Sequence, residues 1–510
     1  MNLTIGLLAH DAAWEELLTQ IGASWTPVGA SVQTDAYSAV IVNAEPEHAM
    51  IGPLRTYLRE GGALLGDFGR LHRVLGCGTS RRRYGFLASQ DFGRFSPSSI
   101  VDIDSTGKIL NGCTSMDEGP IQLVSVGSGI AASLPFDVSG LVRSTAFKRR
   151  NFYAPKDRLP SEYVSAVSKG ALREVVTRVI QELHHARKLP FIHTWYYPEG
   201  KPSIFTFRVD TDKGSKNELS ELYDVCRRHD VRGSWFADVK SHESWLDFFS
   251  GFQQQEIGLH CYEHRTDDTV EAVDANFSKG YALLRDAGFS VRGATAPTGR
   301  WNEAVDAVYR KLGICYSSEF SLIYDDLPSH PVIGDAVSPV LQLPVHPVCV
   351  GSMRRSAFTS DEMKAYFRAW IGNRLASRNP VCLYHHPTHH HWDVFEDAFT
   401  LIGSLGIPSM TYGEYAAWWK KRTAERPSFT YNNGHIVVAQ GMDPELWYRI
   451  SLPGCKEIIT PIGGTFDVAH AVGQKEPEPI AHPADITRAR AFDPRHWVQN
   501  ALDRWYTYRS

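Results

Sequence analysis

SIFTFRVDTD, residues 203–212, is an apolar, β-favouring run that ends in two aspartates one residue apart, Asp210 and Asp212. A second apolar run, EIGLHCYEH at 256–264, delivers His260 and His264 with three residues between them. Two acids at one strand end and a histidine pair at another suit a divalent metal site. One Asp and two His leave a coordination position open for water, which is the arrangement of a catalytic site and not of a closed structural one. Such a cation brings the pKa of its water towards neutrality and polarises a bound carbonyl. The spare acid then has a task, to accept the water proton. A turn after Val209 would let Asp212 ligate while Asp210 stays beside the water.

Late in the chain, VCLYHHPTHHHW reads as a strand at 381–385 followed by a polar loop. Of the adjacent pair, alternation sends one histidine to the top of the sheet and the other to the helical layer. His386, just before Pro387, is the one assigned to the site, as a general acid. His389, His390 and His391 read most simply as a polar loop, with extra metal binding there as the alternative.

Outward from these runs, residues 203–424 alternate strand and helix, with strands expected at 204–209, 234–237, 256–260, 291–295, 341–345, 381–385 and 407–410. Seven such runs suggest a barrel of parallel strands. Residues 1–150 alternate in the same way. Strands are expected at 3–8, 37–42, 63–66, 99–103 and 121–126, and helices at 12–21, stopping at Gly22, and at 54–59, closed by Gly61 and Gly62. This implies a doubly wound sheet. The pattern resembles the flavodoxin-like fold of class I glutamine amidotransferases, without their nucleophile-elbow cysteine, and a structural role is expected. A helix at 168–187 and an aromatic, Pro-containing stretch at 188–202 make a connector over 151–202. Residues 425–510 read as a small β-rich domain with short strands at 428–431, 435–439, 447–452 and 457–460 and a closing helix near 497–506.

Composition sets limits. The chain has 510 residues, 43% hydrophobic and 22% charged, with a formal net charge of −4. These are the proportions of a globular protein, and the absence of long single-sign charge runs argues against a nucleic-acid partner. No run approaches a transmembrane span. The opening MNLTIGLLAHD reads as a first strand and not as a signal peptide. The eight cysteines lack CxxC spacing, so neither a zinc ribbon nor a disulfide framework is expected. Free thiols and a cytoplasmic setting are the expectation.

Taken together, FTFRVDTD, EIGLHCYEH, GATAPTGRWN, LQLPV and VCLYHHP follow the order of the five motifs of the polysaccharide deacetylase family. This is the NodB-homology, or carbohydrate esterase family 4, fold. The chain resembles a divergent branch with Asp-x-Asp in the first motif. The resemblance spans roughly 200–420. It implies a distorted (β/α)7 barrel, one divalent metal (Zn²⁺ foremost, with Co²⁺, Mn²⁺ or Ni²⁺ as alternatives) and removal of an acyl group from an N-acetylated sugar. By position, Asp212, His260 and His264 resemble the metal ligands, Asp210 the base and His386 the acid. In the implied mechanism the metal polarises the amide carbonyl, Asp210 takes the proton from water and His386 protonates the leaving amine. Thr295, Pro297, Arg300, Trp301, Tyr316 and Leu343 fall where substrate-facing residues are expected. Two positions depart from the family, and the tryptophan of its fourth motif has no obvious counterpart here. Cys261 stands where Ser or Thr is usual, and Thr295 stands where the family has an arginine for the base; Arg208, Arg292 and Arg300 are the candidates to replace it. A degenerate carbohydrate-binding or scaffold protein and a non-sugar amide or imide hydrolase are the alternatives. A carbohydrate partner is expected, and homo-oligomerisation is left open.

Overall fold

The computed structural model describes residues 1–475, except 30, 88, 98–100, 117–118, 153, 155–158, 439–442, 455 and 469, together with 494, 498 and 501. The helix expected near 497–506 lies outside the described residues.

The strand Phe205–Asp210 is buried along its whole length, and its period of two sorts its side chains. Phe205, Phe207 and Val209 face the helical layer. There Phe207 meets Phe395 at 5.2 Å and Phe205 meets Phe399 at 5.7 Å, both rings carried by the helix Trp392–Ser404. Thr206, Arg208 and Asp210 take the opposite face. Around this strand lies a seven-stranded sheet in the order Leu341–Gln342, Tyr316–Ser317, Gly293–Ala294, Glu256–Cys261, Gly233–Asp238, Phe205–Asp210, Val381–His385. Every pairing in it is parallel. The sheet curls into a half-barrel. Among the described residues no strand pairing closes it, although His346 N–H donates to Cys382 O across the gap at 2.8 Å.

Two strand expectations change. Residues 407–410 form no strand; Ser409 makes only an isolated bridge to Phe205. Pro408 lacks an N–H for a ladder, and the segment runs straight into the capping box of the helix Tyr412–Thr423, made by Thr411 and Glu414. The seventh place is taken by Tyr316–Ser317, a two-residue strand too short to show any period.

The first part of the chain forms a six-stranded sheet, Trp25–Pro27, Ile5–Leu7, Ala39–Val42, Ala63–Asp67, Gly129–Leu134, Gln122–Val126. All its pairings are parallel except the last. The helix Lys169–Ala186 packs on this sheet, with Leu172, Val176 and Ile180 in one core with Ile5, Leu65 and Ala132. The strand expected at 99–103 belongs to a long hairpin, Gly78–Leu87 with Val101–Asn111. At its base Cys77 and Cys113 are joined as a disulfide, with Cα atoms 6.0 Å apart. The expectation of free thiols throughout is therefore corrected: the register pairs Gly78 with Asn111 and brings the two flanking cysteines together. Cys226, Cys261, Cys349 and Cys382 are free and buried, and Cys315 is free and exposed.

The last β-rich part is woven into the rest. Trp447–Leu452 pairs with Phe191–Thr194 from the connector, and Leu3 N–H donates to Phe429 O at 2.9 Å. Arg422 is buried over the Trp419 ring and donates its hydrogen bonds to carbonyls, Trp195 O, Thr194 O, Ile21 O and Thr19 O. Two of these carbonyls sit at the end of the helix Ala12–Ile21, where a cation complements the helix dipole. No described helix is long and apolar enough to cross a membrane.

Candidate active site

Four strand ends and the turns after them converge. Asp210 ends its strand, and the chain turns at once, with Gly214 N–H donating to Thr211 O at 2.7 Å. The turn lifts Asp212 away from Asp210 and towards the histidines. Asp212 Oδ1 lies 3.3 Å from His260 Nε2, and its Oδ2 lies 3.3 Å from His264 Nε2. One ligand atom from each of the three residues lies within 4.8 Å of the others. His386 Nε2 lies 3.4 Å from Asp212 Oδ2 and 3.9 Å from Asp210 Oδ2. The side chains of Asp212 (23% exposed), His264 (31%) and His386 (16%) form the open side of the site, and Asp210 and His260 form its floor.

The residues present fit a divalent cation. His260 Nδ1 lies 3.0 Å from the Thr295 carbonyl oxygen and 2.8 Å from Thr295 Oγ1. A carbonyl only accepts, so Nδ1 carries the hydrogen and Nε2 presents a lone pair to Asp212. His260 Nε2 and Asp212 Oδ1 are both buried without a hydrogen-bond partner. Two electron-rich atoms 3.3 Å apart in a buried place call for positive charge between them.

Asp210 has a cationic partner. Arg208, wholly buried, shares its face of the strand and grips both carboxylate oxygens, Nε to Oδ1 at 2.7 Å and Nη2 to Oδ2 at 2.6 Å. Its third nitrogen donates to Ser318 O. Burial would raise the Asp210 carboxyl, but the Arg208 guanidinium outweighs it and holds the group below the usual carboxylate value. Of the three candidate cations, Arg208 takes this place. Arg292 lies on the outside, and Arg300 pairs with Asp268 at 2.7 Å on the rim. Burial likewise opposes ionisation of Asp212, and His386 foremost, with His264, holds it well below the usual value. Burial would lower His386, yet Asp212, with Cys349 and Asp210, raises it to about 9.

The two adjacent histidines part company. His385 is buried in the helical layer, 4.3 Å from the Phe395 ring, with its Nε2 on His390 O at 3.0 Å. Behind His386, on the side away from Asp212, stand Cys349 and His389. Burial would raise the Cys349 thiol, but the two imidazoles bring it well below its ordinary value.

The six residues expected to face substrate are placed differently. Thr295 is buried and backs His260. Pro297 is buried, and its carbonyl accepts from Thr266 Oγ1 at 3.0 Å, tying down the loop after His264. Tyr316 and Leu343 lie in a core with Phe236 and Tyr412, and Trp301 packs with Leu322 and Ile323. All three are buried within these cores. Only Arg300 stands partly exposed at the rim.

Cys261 is buried and points to Asp238, 3.8 Å away, so it gives the histidine loop no hydroxyl support. Asn276 does that work instead. From the helix Val270–Asp286 its side chain accepts from Tyr262 N–H and Glu263 N–H and donates to Glu263 O and Arg265 O. Glu319, also buried, accepts from Ala296 N–H at 2.9 Å and pins the strand end that carries Thr295. Asn276, Glu319 and Cys349 carry no motif that would mark them in the sequence.

No family model and no curated protein matches the chain. Several solved structures are similar to it, and they are carbohydrate esterase family 4 polysaccharide deacetylases and relatives. One is a family pseudoenzyme from Bacillus anthracis, at 14% identity and a TM-score of 0.31, covering 43% of this chain and 66% of that one. Another is a putative polysaccharide deacetylase from Mycobacterium smegmatis, at 14% identity and 0.38, covering 46% and 96%. A third is a probable polysaccharide deacetylase from Pseudomonas aeruginosa, at 14% and 0.36, covering 44% and 93%. The likeness thus concerns less than half of this chain.

Proposed function

We propose that the chain is a metal-dependent hydrolase that removes an acetyl or related acyl group from the amide nitrogen of an N-acetylated sugar. Residues 203–424 carry the chemistry, and the doubly wound, amidotransferase-like 1–150 region and the 425–510 region support them. The observation that carries this proposal is the flanking of one open Asp212–His260–His264 set by an arginine-held carboxylate and a histidine.

Asp212, His260 and His264 would hold one divalent cation, Zn²⁺ foremost. When bound, the cation supplies Lewis-acid polarisation of a carbonyl and a more acidic water. Asp210, ionised and fixed in direction by two hydrogen bonds from Arg208, accepts the proton from the attacking water at the oxygen edge that Arg208 leaves free. His386 Nε2, within 4 Å of both carboxylates, donates a proton to the departing amine nitrogen. A cation on Asp212 would offset the chief support of His386 and bring it back towards the range useful to a general acid. Thr295 keeps the His260 tautomer that offers Nε2 to the site.

The Arg208–Asp210 pair also speaks against a degenerate scaffold, since it gives Asp210 the cationic partner that Thr295 does not supply. The test is acetate release from a panel of N-acetylated oligosaccharides by the Zn²⁺-, Co²⁺- or Mn²⁺-loaded chain and by Asp210→Asn. Release by wild type and its loss in the variant is the expected result. Equal release by both defeats the base assignment. Release from simple amides or imides but from no sugar defeats the substrate class.

A further inference from the structure

His386 has two faces, and the chemistry above uses only one. Its Nε2 looks to Asp212, which leaves Nδ1 for the other side, and that Nδ1 is buried without a hydrogen-bond partner. Three observations meet there. Cys349, 3% exposed, precedes the helix Val350–Arg355. His389 stands one turn on from His386, with its N–H on His386 O at 2.9 Å, and its Nδ1 is also buried and unpartnered. One ligand atom each from Cys349, His386 and His389 lies within 4.8 Å of the others.

The helix is notched to admit this arrangement. A Cβ on Gly351 would come within 2.3 Å of His389 Cε1 and 2.8 Å of both ring nitrogens, so the imidazole occupies the volume a side chain would fill. A tetrahedral cation bound by sulfur and nitrogen sets those donors roughly 3.5 Å apart. Binding would draw the three donors, now within 4.8 Å of one another, closer together. One thiolate and two imidazoles favour Zn²⁺ or Co²⁺ over the harder Mn²⁺ or Mg²⁺.

We propose that Cys349, His386 and His389 form a second, thiophilic cation site that shares His386 with the first and withdraws it from proton transfer when filled. Binding releases the Cys349 thiol proton, and any imidazolium proton, to solvent, with no change of oxidation state. The site itself stands apart from the proposed deacetylation. Only the inhibition rests on that reading.

The experiment is a Co²⁺ titration of the full chain after chelation, followed by absorption. Two classes of bound Co²⁺ are expected, one of them with a thiolate-to-cobalt charge-transfer band. Cys349→Ser removes the band and leaves the other class. His260→Ala with His264→Ala removes the other class and leaves the band. His389→Ala, or Gly351→Ala, which fills the notch, weakens the band-bearing class at least tenfold without touching the cysteine. Mn²⁺ gives one class. In the activity arm, Zn²⁺ beyond the first equivalent inhibits wild type but not Gly351→Ala. A single class without the band in wild type, or a band that survives Cys349→Ser, overturns the site whether or not acetate release is found. A confirmed band without inhibition of an active enzyme overturns the sharing of His386.

Discussion

Replacing Arg208 with methionine isolates the interaction that orders the centre of the site. The side chain is wholly buried, makes two hydrogen bonds to Asp210 at 2.6 and 2.7 Å, and lies 5.5 Å from the Tyr384 ring. Methionine keeps most of the volume and removes the charge. Asp210, 3% exposed, is then a carboxylate whose desolvation is no longer offset by its chief partner. Removing one member of a buried ion pair costs about 3–5 kcal/mol. The loss depends on pH, and its sign follows from the shift. In wild type the folded-state carboxyl lies below 3.8, so the pair contributes above the unfolded value and fades as pH falls. In the variant the carboxyl rises above its unfolded value, so the folded state favours the proton and stability falls as pH increases. The gap between the two proteins is therefore small near pH 3–4 and approaches the full about 3–5 kcal/mol near neutrality. Urea denaturation of metal-free protein across that range measures it. Arg208→Met with Asp210→Asn removes both charges and recovers most of the loss, because the cost lies in the orphaned charge. A loss under about 1 kcal/mol that ignores pH, or additive losses in the double variant, refutes the reasoning. Acetate release by Arg208→Met is expected to fall by about two orders of magnitude or more, with the acid limb moved to higher pH.

Other outcomes test the remaining assignments. Asp212→Ala, His260→Ala and His264→Ala each abolish tight Zn²⁺ binding at the first site in calorimetry, whereas Asp210→Asn retains it. Thr295→Val removes the hydroxyl contact to His260 Nδ1 and weakens that binding by about 10–100-fold. In metal-free protein the His386 contribution to stability is fully present below about pH 6.5 and is lost as pH rises towards about 9, since its folded-state pKa is raised. Thermal melts of wild type and Asp212→Asn across that window show the decline only in wild type. Asn276→Ala frees four hydrogen bonds of the loop after His260. Faster amide exchange confined to residues 261–266 is the expected sign.

What the sequence determined is what depends on neighbours along the chain. The pleat of 205–210 separates Phe205, Phe207 and Val209 from Arg208 and Asp210, and residues two apart on a strand must share a face. The same alternation divides His385 from His386. Short β-rich runs bounded by Asn, Gly and Pro likewise mark Phe429–Asn432, His435–Val438, Trp447–Leu452 and Lys456–Pro461, close to where short strands were expected. Tertiary structure decided what depends on partners distant in sequence. Nothing local announces that the Thr295 carbonyl meets His260, that Asn276 does for the histidine loop what Cys261 does not, or that Cys349 stands behind His386. Tyr316–Ser317 becomes a strand because Gly293–Ala294 and Leu341–Gln342 lie on either side with unpaired backbone, and no period is needed for that. The first residues and the connector join the last β-strands for the same reason: open sheet edges take whichever chain packing brings beside them. Arg208 lies between the two cases. Its face was fixed by the pleat, but only the curling of the sheet and the packing over it removed water and made it the partner of Asp210.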